Sequence, residues 1–451
     1  MSLLLAISLA SFAFSTYIVW PSRWNVPAHL QVGFAITAYV LPLLMTDVLS
    51  HYDRALISTL TAVVCFGAVA NIFGVFVGGR LPRIKLLRIP FSFKAPSNSD
   101  LIKFASKRAT MLFAIAVAGL IVSFLVMGFV PMFAAKPYAA KFFRGEYQYR
   151  YLPVAIPFRS SYYIIITLIP ILGALWYETR RLKYAALLAV GAAAITATLN
   201  RGPLGEALLL LVGVLAASKG RRWSLLYLVA IPVVYFVGST YYYLLSEVLG
   251  ILEVPKHYSR VEPGLFALAA AGSPDIMDAF TLLSAFFARG EFTYGRTFFG
   301  GLVPFHYQWN PSVWALGVIS GGDVNRLVSG GLRLPVPLWG YTAFGWPGTV
   351  LVPFLSGLIA GYGAAFARKN VVDGGVLRSM VALVLYTTVV GQLAKFYVLS
   401  IYGLPALVAA LAIAYKVRVS VTPHARDWVT AGAAVEQANY IPAAPAWQRP
   451  S

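Results

Sequence analysis

Cysteine and charged residues are both scarce in this sequence, and each deficit excludes a class of protein. Cys65 is the single cysteine among 451 residues, so the chain forms no internal disulfide and no cysteine-rich metal site. Asp, Glu, Lys and Arg together make up only 12% of the residues, about half of what a soluble domain carries. These deficits exclude a disulfide-stapled secreted module, a disordered protein and an ordinary soluble enzyme.

Acidic residues are the scarcer of the two charged classes. The chain has 16 Asp and Glu against 36 Lys and Arg, a formal net charge of +20. In a soluble protein such an excess suggests a nucleic-acid partner. Hydrophobic residues reach 59% and the mean hydropathy is +0.73, which is the composition of a membrane protein. We therefore interpret the basic excess as a topology signal and expect no nucleic-acid partner.

The apolar stretches predict an all-α, polytopic membrane protein with about eleven transmembrane helices, because about 20 apolar residues span the hydrocarbon of a bilayer. The predicted spans are 2–20, 28–48, 55–78, 110–134, 161–177, 184–199, 204–218, 223–245, 348–367, 379–399 and 403–416. They form a single transmembrane domain over 1–416. The remaining residues, 417–451, are rich in Ala, Pro and Gln and are predicted to be a disordered tail.

Lys and Arg are distributed unequally between the alternating loops. One set of loops holds 22 basic and five acidic residues, and the other holds 14 basic and 11 acidic residues. Because cytoplasmic loops carry the excess of Lys and Arg, we predict an external N-terminus and a cytoplasmic C-terminus. The cytoplasmic stretch 79–109, which mixes basic and apolar residues, is predicted to lie on anionic membrane lipids.

The longest connection, from about 246 to 347, is external in this orientation. Loops of this length without a function are uncommon. Two apolar stretches, 265–271 and 277–288, are predicted to be short helices within it. We therefore expect any chemistry to be carried by this external loop.

Three short motifs follow one another in this loop and in the helix that succeeds it. Residues 294–299 read Tyr-Gly-Arg-Thr-Phe-Phe, 309–311 read Trp-Asn-Pro, and 340–348 read Gly-Tyr-Thr-Ala-Phe-Gly-Trp-Pro-Gly. Their order resembles the bacterial oligosaccharide repeat-unit polymerases, the Wzy-type O-antigen polymerases. Residues 201–202, Arg-Gly at the outer start of an apolar helix, are similar to the Arg-Gly step of that family. The resemblance is clearest over about 200–365.

The resemblance implies a membrane glycosyltransferase with a GT-C-type fold, acting in lipopolysaccharide or other surface polysaccharide biosynthesis. Its substrates would be undecaprenyl-pyrophosphate-linked oligosaccharides at the outer, periplasmic face of the bacterial inner membrane. One repeat's sugar hydroxyl would attack the growing chain and release undecaprenyl pyrophosphate. The implied partners are a chain-length regulator and a flippase of the same pathway. No metal or other cofactor is implied.

The sequence departs from the family pattern at two places. Gly340 stands directly before Tyr341, where the family commonly carries an acid nearby. The family commonly has an Ile-Pro step followed by a basic residue, whereas here Val303-Pro304 is followed by Phe305 and His306. A histidine that related O-antigen ligases carry would fall near Leu334, which favours a polymerase over a ligase. An O-antigen ligase, another lipid-carrier glycosyltransferase, and a flippase or transporter of lipid-linked sugars stay as alternatives.

Arginine is the residue type that this chemistry needs most. A pyrophosphate leaving group is stabilised by cationic donors, and the planar guanidinium binds phosphate oxygens in pairs. We predict catalytic roles for Arg201, at the membrane boundary, and Arg296, in the first motif, with His306 as the candidate general base. Predicted substrate-binding residues are Arg144, Arg150, Arg260, Arg289, Arg333, Lys395, Tyr341 and Trp309.

Each of these predictions has a structural alternative. Arg201 would otherwise be a helix-flanking side chain, and Arg289 and Arg296 would form loop salt bridges with acids such as Glu291 and Asp278. The segment 141–151 interleaves aromatic and basic residues, which is typical both of sugar binding and of an interfacial aromatic belt. The alternative general bases are Glu262, Asp278, Glu291 and Asp323.

Overall fold

A computed structural model describes residues 1–45, 48–81, 91–94, 98–249, 275–303, 307–322, 331–371, 375–414 and 418–421. Almost all of these residues are helical, which confirms an all-α protein. Seven helical segments of the described chain are long and apolar enough to cross a membrane: Val26–Leu44, Arg54–Arg80, Ser99–Phe133, Pro137–Thr179, Gly202–Lys219, Val336–Val371 and Val376–Ala394. A polytopic membrane protein is therefore the architecture that composition and fold both support.

The α-helices are α1 (Ser2–Phe14), α2 (Val26–Ala35), α3 (Leu41–Met45), α4 (Arg54–Arg80), α5 (Asn98–Met127), α6 (Pro137–Lys141), α7 (Glu146–Tyr151), α8 (Ala155–Thr179), α9 (Leu182–Ala197), α10 (Arg201–Lys219), α11 (Arg221–Leu249), α12 (Asp275–Arg289), α13 (Arg296–Gly300), α14 (Pro311–Ser320), α15 (Val336–Val371), α16 (Val376–Leu385), α17 (Gly391–Ala394) and α18 (Leu404–Ala414). Short 3₁₀ or π segments are Ser15–Ile18, Ile36–Val40, Val48–His51, Pro131–Phe133, Leu152–Val154, Tyr386–Val390, Phe396–Val398 and Ile401–Gly403.

Every predicted span coincides with helix, although the boundaries differ. The spans predicted over 2–20, 184–199 and 403–416 lie on shorter apolar helices. The span predicted over 223–245 lies on α11. The count of eleven transmembrane helices therefore stays a prediction.

The loop predicted to be external and the C-terminal tail are described in part. The short helix predicted over 277–288 is present as α12, whereas 265–271 lies outside the described residues. In the predicted tail, Arg418–Val421 form strand β2, which pairs antiparallel with strand β1 (Phe91–Lys94), and the residues beyond β2 also lie outside that part.

Helices α4 and α15 pack so closely that their glycines touch the partner backbone. A Cβ on Gly74 would lie 2.2 Å from the carbonyl oxygen of Phe354, and one on Gly78 would lie 2.1 Å from that of Leu358. From the other side, a Cβ on Gly361 would lie 2.2 Å from a carbonyl oxygen of α4. Glycines four residues apart on both helices produce the close backbone approach typical of membrane helix pairs.

Helix α15 reverses direction near its start. Phe344 and Gly345 have non-helical backbone angles, and Gly345 adopts a φ of +66°. A Cβ on Gly340 would lie 2.1 Å from the carbonyl oxygen of Gly348, so the two halves are in backbone contact. Residues 336–343, the fold-back segment, therefore pack against the start of the long half of α15. Glycine is required at 345 because side-chain-bearing residues rarely adopt this conformation.

Buried apolar side chains form two large clusters. One is built mainly from α5, α8, α9, α10 and α16, and the other mainly from α1, α4, α12 and the beginning of α15. Helix α10 contributes to the first cluster and α12 to the second.

Loop contacts divide into two groups. In the first, Arg368 donates to the carbonyl oxygen of Val19 at 3.2 Å, the backbone N–H of Leu377 donates to Glu178 at 3.4 Å, and β1 pairs with β2. All of these segments belong to the loops with the excess of Lys and Arg.

The second group joins segments of the other set of loops. The N–H of Ile401 donates to the carbonyl oxygen of Gly301 at 3.0 Å. The rings of Tyr52 and Phe280 stack with centroids 4.6 Å apart. The three described motif segments belong to this second group, so they share one end of the molecule.

Candidate functional site

The first and third sequence motifs are hydrogen-bonded to each other. The reversal at Gly345 leaves carbonyl groups at the end of the fold-back segment without intrahelical partners. The N–H groups of Thr293 and Tyr294 donate to the carbonyl oxygens of Thr342 and Ala343, each at 3.0 Å. The structure thereby brings together residues that are about 50 positions apart in the chain.

Tyr341, a predicted substrate-binding residue, lies at the centre of an aromatic cluster. Its ring meets Trp346 edge-on at 5.5 Å, Phe286 at 6.3 Å and Phe292 at 6.4 Å, measured between centroids. Only 9% of Tyr341 is exposed. The Tyr341 ring therefore packs α12, the residue Phe292 and α15 against one another, so its described contacts position these segments.

A surface cavity of about 420 Å³ opens beside this aromatic cluster. It is lined by Phe286, Gly290, Glu291, Phe292, Tyr294 and Arg296. The guanidinium of Arg296 lies 4.8 Å from the ring centroid of Trp309, so the first and second motifs also meet. Exposed aromatic faces, a carboxylate and a guanidinium are groups that can bind a sugar together.

The side chain of Arg289, another predicted binding residue, donates hydrogen bonds to the end of a neighbouring helix. Its Nε donates to the carbonyl oxygen of Val318 at 2.6 Å, and a second nitrogen donates to that of Ile319. These carbonyls end α14 and have no intrahelical partner. The alternative prediction of salt bridges with Glu291 and Asp278 is wrong for Arg289, because its described polar contacts go to backbone and Asp278 is bonded elsewhere.

Asp275, Asp278 and Arg333 form a charged group in which all three pKa values are raised. A guanidinium nitrogen of Arg333 lies 3.8 Å from Oδ1 of Asp275, and the backbone N–H of Arg333 donates to Oδ2 of Asp278 at 3.3 Å. The Asp275 side chain is 4% exposed, whereas that of Arg333 is 60% exposed. The guanidinium of Arg333 therefore lies near a buried carboxylate, and the same side chain is accessible at the surface.

Burial raises the pKa of Asp275 to about 7; Arg333 offsets part of that rise, and the neighbouring Asp278 adds to it. Burial also raises the pKa of Asp278 to about 6, against the hydrogen bond from Arg333. Burial opposes the charge of Arg333, but the nearby acids, with Asp275 first, leave its pKa raised. A carboxyl that titrates near neutral pH can either accept or donate a proton.

Arg333 also connects this group to α10 and α11. Glu206, in the second turn of α10, and Tyr235 of α11 lie within its electrostatic range. Arg201 begins α10, five residues before Glu206, and only its backbone is described. The predicted catalytic Arg201 therefore begins the helix that carries Glu206.

Arg159 is a site candidate that the sequence did not single out among the external arginines. Its guanidinium lies 5.5 to 5.8 Å from the ring centroids of Phe143, Tyr151 and Tyr402, and its Nε donates to the Tyr151 hydroxyl at 2.9 Å. Over the described residues it forms no ion pair with an acid. Two of the enclosing rings come from the segment 141–151 and the third, Tyr402, comes from a distant part of the chain, so no local sequence pattern predicts that they meet.

The segment 141–151 folds into α6, α7 and the turn between them. Tyr147 and Tyr151 are buried, whereas Tyr149 is 78% exposed, so its aromatic residues do not form one continuous sugar-binding face. Of its predicted binding residues, Arg144 is half-buried and Arg150 is exposed.

Lys395 is exposed immediately after α17. Its backbone N–H donates to Gln392 at 3.2 Å and its carbonyl accepts from Val398 at 2.9 Å. The residue therefore marks a helix end, where its side chain reaches the surface.

His306 and Arg260, which the sequence predicts as catalytic and binding residues, lie outside the described residues, as do the alternative bases Glu262 and Asp323. Within the described ranges, no three His, Cys, Asp or Glu side chains are grouped as metal ligands would be. Comparisons with family models, curated proteins and solved structures found no match.

Proposed function

We propose that this protein is a membrane glycosyltransferase that polymerises undecaprenyl-pyrophosphate-linked oligosaccharide repeats. The observation that carries the proposal is the backbone pairing of residues 293–294 with residues 342–343. Two segments that resemble polymerase motifs thus form one site beside a cavity lined by aromatic and charged residues. The GT-C-type fold is part of the same proposal.

The proposed site faces the outside of the bacterial inner membrane, with the N-terminus external and the C-terminus cytoplasmic. The two groups of loop contacts agree with the division of the loops into two sides. The excess of Lys and Arg in one set assigns that set to the cytoplasm. A donor with a lipid tail would then reach the site along the outer leaflet.

Arginines would bind the leaving group. The Arg333 side chain is 60% exposed, Arg296 lies at the cavity, and Arg201 begins α10. Pyrophosphate charge increases as the glycosidic bond breaks, and fixed guanidinium groups stabilise that charge. The cavity beside Phe292 and Tyr294 would hold the sugars.

The alternatives are an O-antigen ligase, another lipid-carrier glycosyltransferase, and a flippase or transporter of lipid-linked sugars. Transporters typically bind substrate near the middle of the membrane, between repeated halves. The perturbed Asp275 and Asp278 instead belong to a long connection between spans, and this favours surface chemistry over transport.

Reconstitution of the purified protein with undecaprenyl-pyrophosphate-linked repeats tests the proposal. A ladder of longer lipid-linked glycans is expected, and EDTA should leave it unchanged because the leaving group is held by arginine. Transfer of glycan to lipid A core without a ladder would identify a ligase. Movement of the substrate across the bilayer without lengthening would identify a transporter.

A further inference from the structure

Asp275 carries a buried oxygen that no described residue bonds. The residue is 3% exposed, and its Oδ2 has no hydrogen-bond partner although its Oδ1 faces Arg333. An unpaired buried carboxylate oxygen is costly because it has lost its hydrogen bonds to water, so such atoms are rare in folded proteins. A hydroxyl of a bound substrate would supply the missing partner.

The surroundings of Asp275 contain several groups that tune its charge. Asp278 lies one turn along α12, and Tyr39 lies within electrostatic range of both acids. Among the described residues, the other titratable groups within electrostatic range of the acidic pair are Tyr52 and Arg333. Arg333 is the only cation in this set, so one positive charge faces two acids.

We propose that Asp275 is the general base of the glycosyl transfer, an inference that rests on the proposed function. The Oδ2 of Asp275 accepts the proton of the acceptor sugar's hydroxyl. The hydroxyl oxygen forms a bond to the anomeric carbon of the donor chain, and the bond from that carbon to the pyrophosphate oxygen breaks. The electron pair of the broken bond leaves with undecaprenyl pyrophosphate, which carries the additional negative charge.

Arg333 and Asp278 act on Asp275 as positioning residues in this arrangement. Arg333 fixes the carboxylate through Oδ1 and leaves Oδ2 for the substrate. Because 60% of its side chain is exposed, Arg333 can also donate to a phosphate oxygen of the leaving group. One guanidinium would then hold base and leaving group at a fixed separation.

The test measures the rate of glycan lengthening against pH in proteoliposomes containing lipid-pyrophosphate-linked repeats. The wild-type rate should rise with pH and level off above about 7, as the Asp275 carboxylate forms. Asp275→Asn should lower the plateau rate by about 100- to 10,000-fold, the usual contribution of a general base. Asp275→Glu should recover part of it.

Two further variants test whether the change in rate is specific to the Asp275 carboxyl. Asp278→Asn removes a neighbouring negative charge, so the midpoint of the rate profile should move to lower pH. Asp53→Asn, at an exposed acid that directly precedes α4 and makes no capping hydrogen bond, is the control and should keep the wild-type rate and profile.

A second readout is independent of activity. Folding raises the pKa of the Asp275 carboxyl to about 7. The thermal stability of the wild type in detergent should therefore fall as the pH rises from about 4 to about 7, and that of Asp275→Asn should fall less. A ladder made by Asp275→Asn at the wild-type rate would overturn the role of Asp275 while leaving the proposed function intact. A wild-type protein that lengthens no glycan would overturn both.

Discussion

Arg333 is central to the candidate site, because its guanidinium lies near the buried Asp275 while most of its side chain is exposed. The sequence predicts Arg333 as a binding residue from its position in the external loop and its chemistry. It does not predict Asp275, which composition cannot distinguish from the other external acids. Burial and an unpaired oxygen set Asp275 apart, and both depend on the packing of α12.

Replacing Arg333 should change both binding and proton transfer. In Arg333→Ala the midpoint of the pH–rate profile should move to higher pH, because Arg333 lowers the pKa of Asp275. The apparent affinity for the lipid pyrophosphate should also fall, and Arg333→Lys should lie between alanine and wild type. An Arg333→Ala profile with the wild-type midpoint would contradict the predicted effect of Arg333 on the pKa of Asp275.

Arg201 is predicted to bind the pyrophosphate from the start of α10. Arg201→Ala should abolish chain lengthening, because a leaving-group contact is lost in the transition state, while expression and membrane insertion stay at wild-type level. Gel analysis of lipid-linked glycans and immunoblotting of membranes measure the two effects. Wild-type ladders from this variant would show that Arg201 does not bind the pyrophosphate.

Among the helices, α15 shows what hydropathy predicts and what it misses. A window of apolar residues predicts the spanning half from about 348, and that half is present. The fold-back segment is missed because its reversal depends on Gly345 and on contact between Gly340 and Gly348. Close approach of distant backbones has no hydropathy signal.

The α4–α15 interface should tolerate no added methyl group. In Gly361→Ala the new Cβ would lie 2.2 Å from the backbone of Val75, so overpacking should cost about 1–3 kcal/mol and lower the melting temperature in detergent. Gly391→Ala is the matched control, since a Cβ at this helical glycine meets nothing within 4 Å. The control should melt at or above the wild-type temperature. Equal melting temperatures for the two variants would contradict the packing.

The reversal in α15 gives a separate prediction. Gly345→Ala places a Cβ at a φ of +66° and ψ of −143°, a conformation that costs about 1–3 kcal/mol for other residues. Because the free carbonyls at this turn hold residues 293–294, the variant should lose polymerisation more than it loses stability. Parallel measurements of ladder length and melting temperature test this, and an unaffected ladder would separate the turn from the site.

Over the whole molecule, composition alone predicts an all-α membrane protein, and the described helices confirm that. The finer features depend on contacts between distant segments, such as the separation of the apolar interior into two clusters. The orientation stays a prediction from the distribution of Lys and Arg, and it is directly measurable because the chain has one cysteine.

Single-cysteine labelling tests the orientation. In a Cys65→Ser background, a membrane-impermeant maleimide should label Tyr149→Cys in intact spheroplasts, since Tyr149 is 78% exposed on the predicted outer side. Leu182→Cys, at a residue 81% exposed on the opposite side, should react only after permeabilisation. The reverse pattern would invert the topology and place the site in the cytoplasm.

We expect the sequence motifs and the group of Asp275 and Arg333 to form one external site for a pyrophosphate-linked glycan. A cryo-electron microscopy map of the substrate-bound protein would show where the pyrophosphate lies. We predict phosphate density within hydrogen-bonding distance of Arg333, with sugar density extending toward the cavity beside Arg296. Phosphate density bound among the cytoplasmic loops, away from both arginines, would rule out this site.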